Sequence, residues 1–380
     1  MTDHTAWIIL NLLTGIGPAR SNMLAEFCGS ASAIFEQEAS TLAQIHGIST
    51  ELANKLVNWE KHVDLQRELE TAESGGVTIL TPADEKYPAQ LRNFRDAPVT
   101  LYVRGTLPPE LGQRSLAMVG TRNATNYGAR MARHIAESAA YAGWVTISGL
   151  AVGIDTIVHR ATVDAGGKTV AVLGGGFSHL HPAENVDLAR DIIAGGGAII
   201  TEYPIRMSPT RQTFPMRNRI ISGLSCGTLV VEAGVNSGSL ITAAHALEQG
   251  RHVFALPGEA DNPSAAGCNQ LIRQGATLVS GFEEILQEFD FLPGMEADRP
   301  FAFAEEEGNG EMPIADASAD TMLSPDDQEI LNVLRKGSLT IDAISEKTDL
   351  PAGDVVSAMI ALEILHRVRK NPDGSYSRLR

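Results

Sequence analysis

Three groups of residues within 214–258 have the types and spacing needed to hold phosphate. Arg217-Asn218-Arg219 supplies two guanidinium groups, each able to give a phosphate two parallel hydrogen bonds. The apolar run Thr228–Val231 ends in Glu232, the best candidate for a general base in the chain. Ser237-Gly238-Ser239 is a turn of small residues opening a helix that leads to a second short strand at His252–Leu256. Such turns after a strand present backbone N–H groups to phosphate. Arginines directly ahead of the unit favour a phosphate polymer over a single small nucleotide. On a helix the two arginines would diverge by about 200° and could not share a phosphate. In an extended segment they would lie on one side and could track successive phosphates. A third arrangement puts one arginine on the ligand and pairs the other with an acid such as Glu232. Glu232 has no companion acid or nucleophile nearby in sequence, so a structural pairing explains it more simply than catalysis.

Other turns have the same form. Gly120-Thr121-Arg122 follows the apolar run Leu116–Val119, where doubly wound folds hold phosphate. The dinucleotide fingerprint is absent, because the next glycine is Gly128. This disfavours a dinucleotide-dependent oxidoreductase, while Arg122 suits a bridging phosphate. Ser148-Gly149 closes the next run and leads to Asp155 and His159, four residues apart and able to share a helix face. With no nucleophile beside them, that pair reads as structural. Gly174-Gly175-Gly176 is followed by His179 and His181, but no cysteine or carboxylate pair completes a metal-ligand set, so neither metal nor cofactor is expected.

A sheet must gather these turns. Apolar runs at Leu116–Val119, Val145–Ser148, Thr169–Leu173, Ala198–Thr201, Thr228–Val231, Val253–Leu256 and Thr277–Val279 alternate with helical patterns. One of these is Gly128–Ala142, closed by Gly143. That order predicts an α/β fold: a Rossmann-like parallel sheet with helices on both faces, spanning 73–289. Val77–Leu80 and Leu101–Val103 are expected edge strands. Residues 1–72 read as a helical domain with two related passages, 10–27 and 42–59, each carrying a glycine turn ahead of a helix. The first, with Gly15-Ile16-Gly17, resembles a helix-hairpin-helix motif, whose turn amides face DNA phosphate; the second, His46-Gly47-Ile48-Ser49, is a degenerate match. A plain helical bundle with glycine at its turns explains the same pattern, and Arg20 and Lys55 are nearly the only cations there. Residues 290–320 read as an acidic disordered linker. Residues 321–380 show three helical patterns and a hairpin turn at Pro372-Asp373-Gly374, the outline of a winged helix. Its third pattern, Pro351–Leu365, bears Asp354 and Glu363 and no lysine or arginine, a poor reader of a major groove. The bases Arg367, Arg369 and Lys370 fall in the wing instead, so a protein- or backbone-contacting module is expected.

Charge sharpens the choice of ligand. The 380 residues carry a net charge of −16, which looks hostile to nucleic acid. Half of that excess lies in 290–320, with nine acids and one base, whereas 111–289 holds 14 acids and 13 bases. The sheet domain is therefore near neutral and free to gather local basic patches. A 43% hydrophobic content is that of a globular protein, and no apolar run approaches the ~18 residues that span a bilayer. The N-terminus, with Asp3 ahead of Trp7–Leu13, lacks the basic start of a signal peptide. Three unevenly spaced cysteines fit a reducing, cytoplasmic compartment.

Taken together, GTRNATNYG (120–128), SGLAVGID (148–155), TVAVLGGG (169–176), TEYP (201–204), FPMRNRIISGLS (214–225), VVEAGVNSGSLIT (230–242) and QGRHVFALPG (249–258) resemble the DNA-processing protein A (DprA, Smf) family. The resemblance covers roughly 75–290. It implies a non-enzymatic, dimeric single-stranded DNA-binding protein that helps load the RecA recombinase in natural transformation. It also implies a DNA pocket made by Arg122, Arg217, Asn218 and Arg219, with Gly120, Thr121, Ser148, Gly149 and Ser237–Ser239 lining the same strand-end face; Asp155 and Glu232 are then structural partners. Two departures stand out: Val152 occupies a place where many members carry a base, and Val158 replaces an alanine. Base stacking would fall to a few rings such as Phe214 or Tyr203. The rival reading is a phosphoribohydrolase-like enzyme acting on free nucleotides. Its PGGxGTxxE block is not found here, where the corresponding stretch reads VEAGVNSGSLIT.

Overall fold

The computed structural model describes residues 1–289, 325–335, 337–348, 350–351, 355, 358–359, 362, 367–370 and 375–378. The linker expected at 290–320 lies outside the described residues. Two compact units divide the chain, Met1–Ala302 and Phe303–Arg380.

The first unit opens with helices α1 (Asp3–Leu12), α2 (Pro18–Cys28), α3 (Ala31–Ile34), α4 (Ala39–Leu42), α5 (Thr50–Val57) and α6 (Leu65–Ser74). Their starts follow the local chemistry. The Thr2, Ser30, Ser49 and Asp64 side chains each accept a first-turn N–H, and Pro18 sits where no intrahelical donor is needed. Trp7, Leu10, Leu24, Ile34, Leu42 and Leu56 form their shared core. Polar contacts dock this bundle onto the sheet: Asn11 Nδ2 donates to Glu202 O at 3.1 Å, and Ile205 N donates to Glu68 Oε1 at 2.8 Å.

Nine strands follow: β1 (Thr78–Leu80), β2 (Leu101–Gly105), β3 (Ser115–Gly120), β4 (Val145–Ser148), β5 (Thr169–Val172), β6 (Ala198–Thr201), β7 (Gly227–Glu232), β8 (His252–Ala255) and β9 (Thr277–Leu278). They form one sheet in the order β1-β2-β6-β5-β4-β3-β7-β8-β9. Strands β3 to β9 pair in parallel, as expected, but β2 runs antiparallel to β6 and β1 antiparallel to β2, so the sheet is mixed at one end. Of the two expected edge strands only β1 is an edge; β9 forms the other. Every residue of β4, β5, β6 and β7 is buried, the signature of strands covered on both faces.

The covering helices are α7 (Asn126–Tyr141), α8 (Ile154–Asp164), α9 (Val186–Ala194), α10 (Thr213–Gly223), α11 (Gly238–Glu248), α12 (Ala266–Arg273) and α13 (Phe282–Phe289). Strand periodicity sorts the core into two layers. Leu116 and Met118 of β3 pack with α7 and α8, while Ala117 and Val119 pack with Ile220, Ile221 and Ala243 of α10 and α11. Val158 is fully buried in the first layer, so the departure noted there is a packing change. Helix α7 ends as expected, with Gly143 at φ 71° just beyond it.

The order reverses at β3, which has β4 on one side and β7 on the other. Chain leaving the two neighbours β3 and β7 runs to helices on opposite faces, α7 and α11. A crevice therefore opens at their C-terminal ends, the switch point where α/β sheets accept ligands.

The second unit contains α14 (Pro325–Leu334), α15 (Ile341–Thr348), helical residues at Val355, Ala358, Met359 and Leu362, and the antiparallel pair β10 (Val368–Lys370) and β11 (Tyr376–Arg378). Ile330, Leu334, Ile344, Met359, Leu362 and Tyr376 make its core. This is the winged-helix domain expected from sequence. Asp354, Glu363 and the turn at Pro372-Asp373-Gly374 lie outside the described residues.

Candidate functional site

At the switch point lies a cleft of about 470 Å³, lined by Gly120, Thr121, Arg122, Ala151, Asp155, Arg211, Phe214, Arg217, Asn218 and Ser237–Ser239, among others. Each part is held by local structure. Thr121 N donates to the main-chain O of Glu232 at 2.7 Å, tying the turn after β3 to the end of β7. The Glu232 carboxylate accepts from Thr125 N at 2.9 Å and Thr125 Oγ1 at 2.7 Å. Glu232 therefore fixes the 121–125 loop. Its side-chain partner is thus a threonine and not the buried arginine the sequence suggested. Gly128 is needed beneath it, because a Cβ there would collide with the same carboxylate.

The two arginines of the RNR block lie on helix α10 and point to different surroundings, so the extended arrangement does not occur. Arg217 is 4% exposed and forms the floor of the cleft. Its Nη1 donates to Gly149 O at 2.9 Å and also to Val172 O, spanning the ends of β4 and β5. Burial pulls its pKa down to about 10, with Asp155 opposing, so it remains charged at neutral pH. Gly149 must lack a side chain: a Cβ would lie 2.6 Å from the Arg217 guanidinium.

Arg219 is a correction to the sequence reading. It is 4% exposed and does not line the cleft; Nη1 and Nη2 each donate to a Glu202 carboxylate oxygen at 2.7 Å, and Asp96 Oδ2 lies 3.0 Å from Nε. The helical turn that aims Arg217 at the sheet edge aims Arg219 at the β6–α10 connection. Ser148 and Gly149 are corrected too. Both are buried: Ser148 Oγ donates to Met118 O at 2.7 Å, and Gly149 supports Arg217 from behind. Tyr203 is buried with its hydroxyl on Thr213 O, so it offers no stacking face.

The exposed surface of the cleft is made by others. Arg122 is exposed, with its guanidinium carbon 5.7 Å from the centre of the Phe214 ring. The His181 ring centre lies 6.4 Å from that of Phe214. Arg211 is exposed at the mouth and has no ion-pair partner among the described residues. The sequence reading missed Arg211; its signal was a polar loop arginine three residues ahead of Phe214 at the start of a helix. Asn218 bridges α10 to α11, accepting from Arg217 Nε at 3.2 Å and donating to Gly238 O at 3.3 Å. Ser237 caps α11, its Oγ accepting from Ser239 N at 3.4 Å.

Asp155 and His159, both buried on α8, do not act as a pair. Asp155 Oδ2 accepts from Gly149 N at 3.1 Å and Ala151 N at 3.3 Å; burial raises its pKa, with Arg217 opposing. His159 Nδ1 lies 2.7 Å from Thr169 Oγ1, and burial, aided by Arg217, pulls its pKa from 6.5 to about 3. The unfolded chain thus takes up a proton near pH 6.5 that the folded chain refuses until about pH 3. Stability should fall as the pH drops through this window, with a slope approaching about 1.4 kcal/mol per pH unit from this group. Urea melts at pH 7.5 and 5.5 should show that loss. His159→Gln should reduce it, and an undiminished slope in the variant would refute the assignment.

Among the described residues no group of three His, Cys, Asp or Glu side chains is placed to hold a metal, and no helix is long and apolar enough to cross a membrane. Fold and cleft together define a Rossmann-like α/β protein with a cationic pocket at its switch point. Residues 78–290 match the DNA recombination-mediator protein A family, and residues 314–374 match the DprA winged helix domain. The chain belongs to the DprA/Smf family. It is 40% identical to Protein Smf of Escherichia coli over 79% of this chain and 77% of that one. The X-ray structure of DprA from Streptococcus pneumoniae superposes with a TM-score of 0.65 at 31% identity, covering 77% of this chain and 99% of that one. A Helicobacter pylori DprA structure described for its single-stranded DNA binding mode gives a TM-score of 0.50 at 25% identity, covering 56% of this chain and 95% of that one.

Proposed function

We propose that this chain is a non-enzymatic protein that binds single-stranded DNA through the switch-point cleft and mediates recombination. The observation that carries the reading is the pairing of exposed Arg122 and Arg211 around Phe214, above the buried charge of Arg217. Two guanidinium groups suit successive phosphates, and the half-buried Phe214 ring beside them lines the same cleft. Glu232, the best candidate base, is occupied by Thr125, which argues against the nucleotide-hydrolysing alternative. The single-strand mode described for the Helicobacter pylori relative supports the same ligand.

In this reading the protein works in the cytoplasm, where its three unpaired cysteines are at home. It coats incoming single strands during natural transformation and helps load RecA. Gly120, Thr121 and Ser237–Ser239 supply backbone and hydroxyl contacts, while Ser148, Gly149, Asn218, Asp155 and Glu232 hold the cleft in shape. A homodimer forms through the sheet domain, whose open edge β9 carries half-exposed Leu278.

Titration of labelled oligo-dT, with nucleoside monophosphates as competitors, tests the polymer assignment. The oligonucleotide should bind at least about a hundredfold more tightly than the mononucleotide and lose affinity steeply with salt. Comparable affinity for the monomer, or release of free base from it, would overturn the proposal.

A further inference from the structure

We propose that the N-terminal helices carry a second nucleic-acid site, a groove that grips the phosphates of duplex DNA and is separate from the switch-point cleft. The two related glycine turns are distant in sequence, yet the fold brings them together. Thr14, Gly15 and Arg20 from the first line a pocket of about 240 Å³ with Gly47, Ser49, Glu51 and Lys55 from the second. Arg20 and Gly47 also line an adjoining cleft of about 810 Å³, which continues past His46 to Arg92 and Arg95. The two hollows therefore lie side by side, with Arg20 and Gly47 between them.

Charge singles this groove out. Residues 1–72 hold nine acids and four bases, and two of those bases, Arg20 and Lys55, face it. The loop before β2 adds Arg95 and Arg92, the latter with its guanidinium donating to Pro82 O and Asp84 O, giving four cations against the two carboxylates Glu26 and Glu51. The arrangement is built into the fold. Asn22 Nδ2 donates to Ala97 O at 3.0 Å, docking α2 beside the arginine loop, and Arg20 Nη1 donates to Gly15 O at 3.1 Å. Arg95 is exposed and has no side-chain partner among the described residues. Lys55 pairs with an exposed Glu51 at 2.9 Å, a contact that a phosphate can displace cheaply.

The groove offers phosphate contacts and little else. Of the aromatic rings in its lining, Trp7 is buried in the helical core and Phe94 is half-buried against the sheet core. Unstacked bases would find little ring face to stack on, whereas a duplex keeps its bases stacked and presents a regular phosphate lattice. The observations therefore favour duplex DNA, held without base reading, beside a single strand held at the sheet edge.

Fluorescence anisotropy on the full chain, using a blunt hairpin duplex and oligo-dT as separate probes, tests this. Arg20→Gln combined with Arg95→Gln should weaken duplex binding roughly tenfold and flatten the log–log salt slope by about 2, leaving oligo-dT affinity unchanged. Glu26→Lys should tighten duplex binding, a gain that misfolding could not mimic. Arg122→Ala with Arg211→Ala should spare the duplex, which separates this proposal from the single-strand reading. Three results would overturn it: no duplex binding by the wild type at low salt, an unchanged duplex slope in the double variant, or equal losses on both probes.

Discussion

Replacing Arg219 with methionine should destabilise the first unit by about 3–5 kcal/mol, the usual consequence of stranding one partner of a buried ion pair. Glu202 is 5% exposed at its side chain and takes both guanidinium nitrogens at 2.7 Å, so the variant would leave its carboxylate without a counter-charge. The Glu202 main-chain oxygen also receives Asn11 from α1, so the N-terminal helices should loosen with it. Oligo-dT affinity of the fraction that remains folded should stay within about twofold of wild type, because Arg219 does not line the cleft. Chemical denaturation checks the first part and anisotropy the second. Full stability with weakened DNA binding would show that Arg219 reaches the ligand after all. The doubly replaced chain, Arg219→Met with Glu202→Met, should recover part of the loss, since a buried pair costs little to exchange for apolar groups of similar size.

The opposite pattern is expected of Arg122→Ala combined with Arg211→Ala. Both side chains are exposed, neither has an ion-pair partner among the described residues, and removing them should leave the melting temperature nearly unchanged. Single-strand affinity should fall at least about a hundredfold at low salt, two charge-assisted contacts each being worth about tenfold or more. The salt slope should flatten by about 1.4, since each lost phosphate contact on a single strand contributes about 0.7. Retained affinity with an unchanged slope would refute the cleft as the DNA site. Arg217→Gln separates the roles further. It should reduce binding and stability together, because that guanidinium also ties Gly149 to Val172 across the strand ends.

Much of this architecture was legible beforehand for a simple reason. Strands buried on both faces must be apolar throughout, and turns that end them must be small, so β3 to β8 and their turns announce themselves locally. The helix caps at Ser30, Ser49 and Ser237 are equally local. The antiparallel joining of β1 and β2 was not legible, because pairing direction depends on which partner the chain finds and not on composition. Nor was the difference between Arg217 and Arg219. Two identical side chains two residues apart acquired opposite roles through a helical turn of about 200° and one distant carboxylate, Glu202.

By itself the sequence determined the strand and helix order, the glycine turns at 120, 149 and 238, the family resemblance and the concentration of acid outside the sheet domain. Each depends on neighbours along the chain. Only the tertiary structure decided that the order reverses between β4 and β7, so that turns from separate units converge on one crevice. It also decided that Arg211 joins Arg122 at the mouth while Arg219 is buried, and that two glycine turns far apart in 1–72 share one groove. Burial and proximity across long stretches of chain are properties of packing, and packing is fixed only when the whole sheet and its covering helices are assembled.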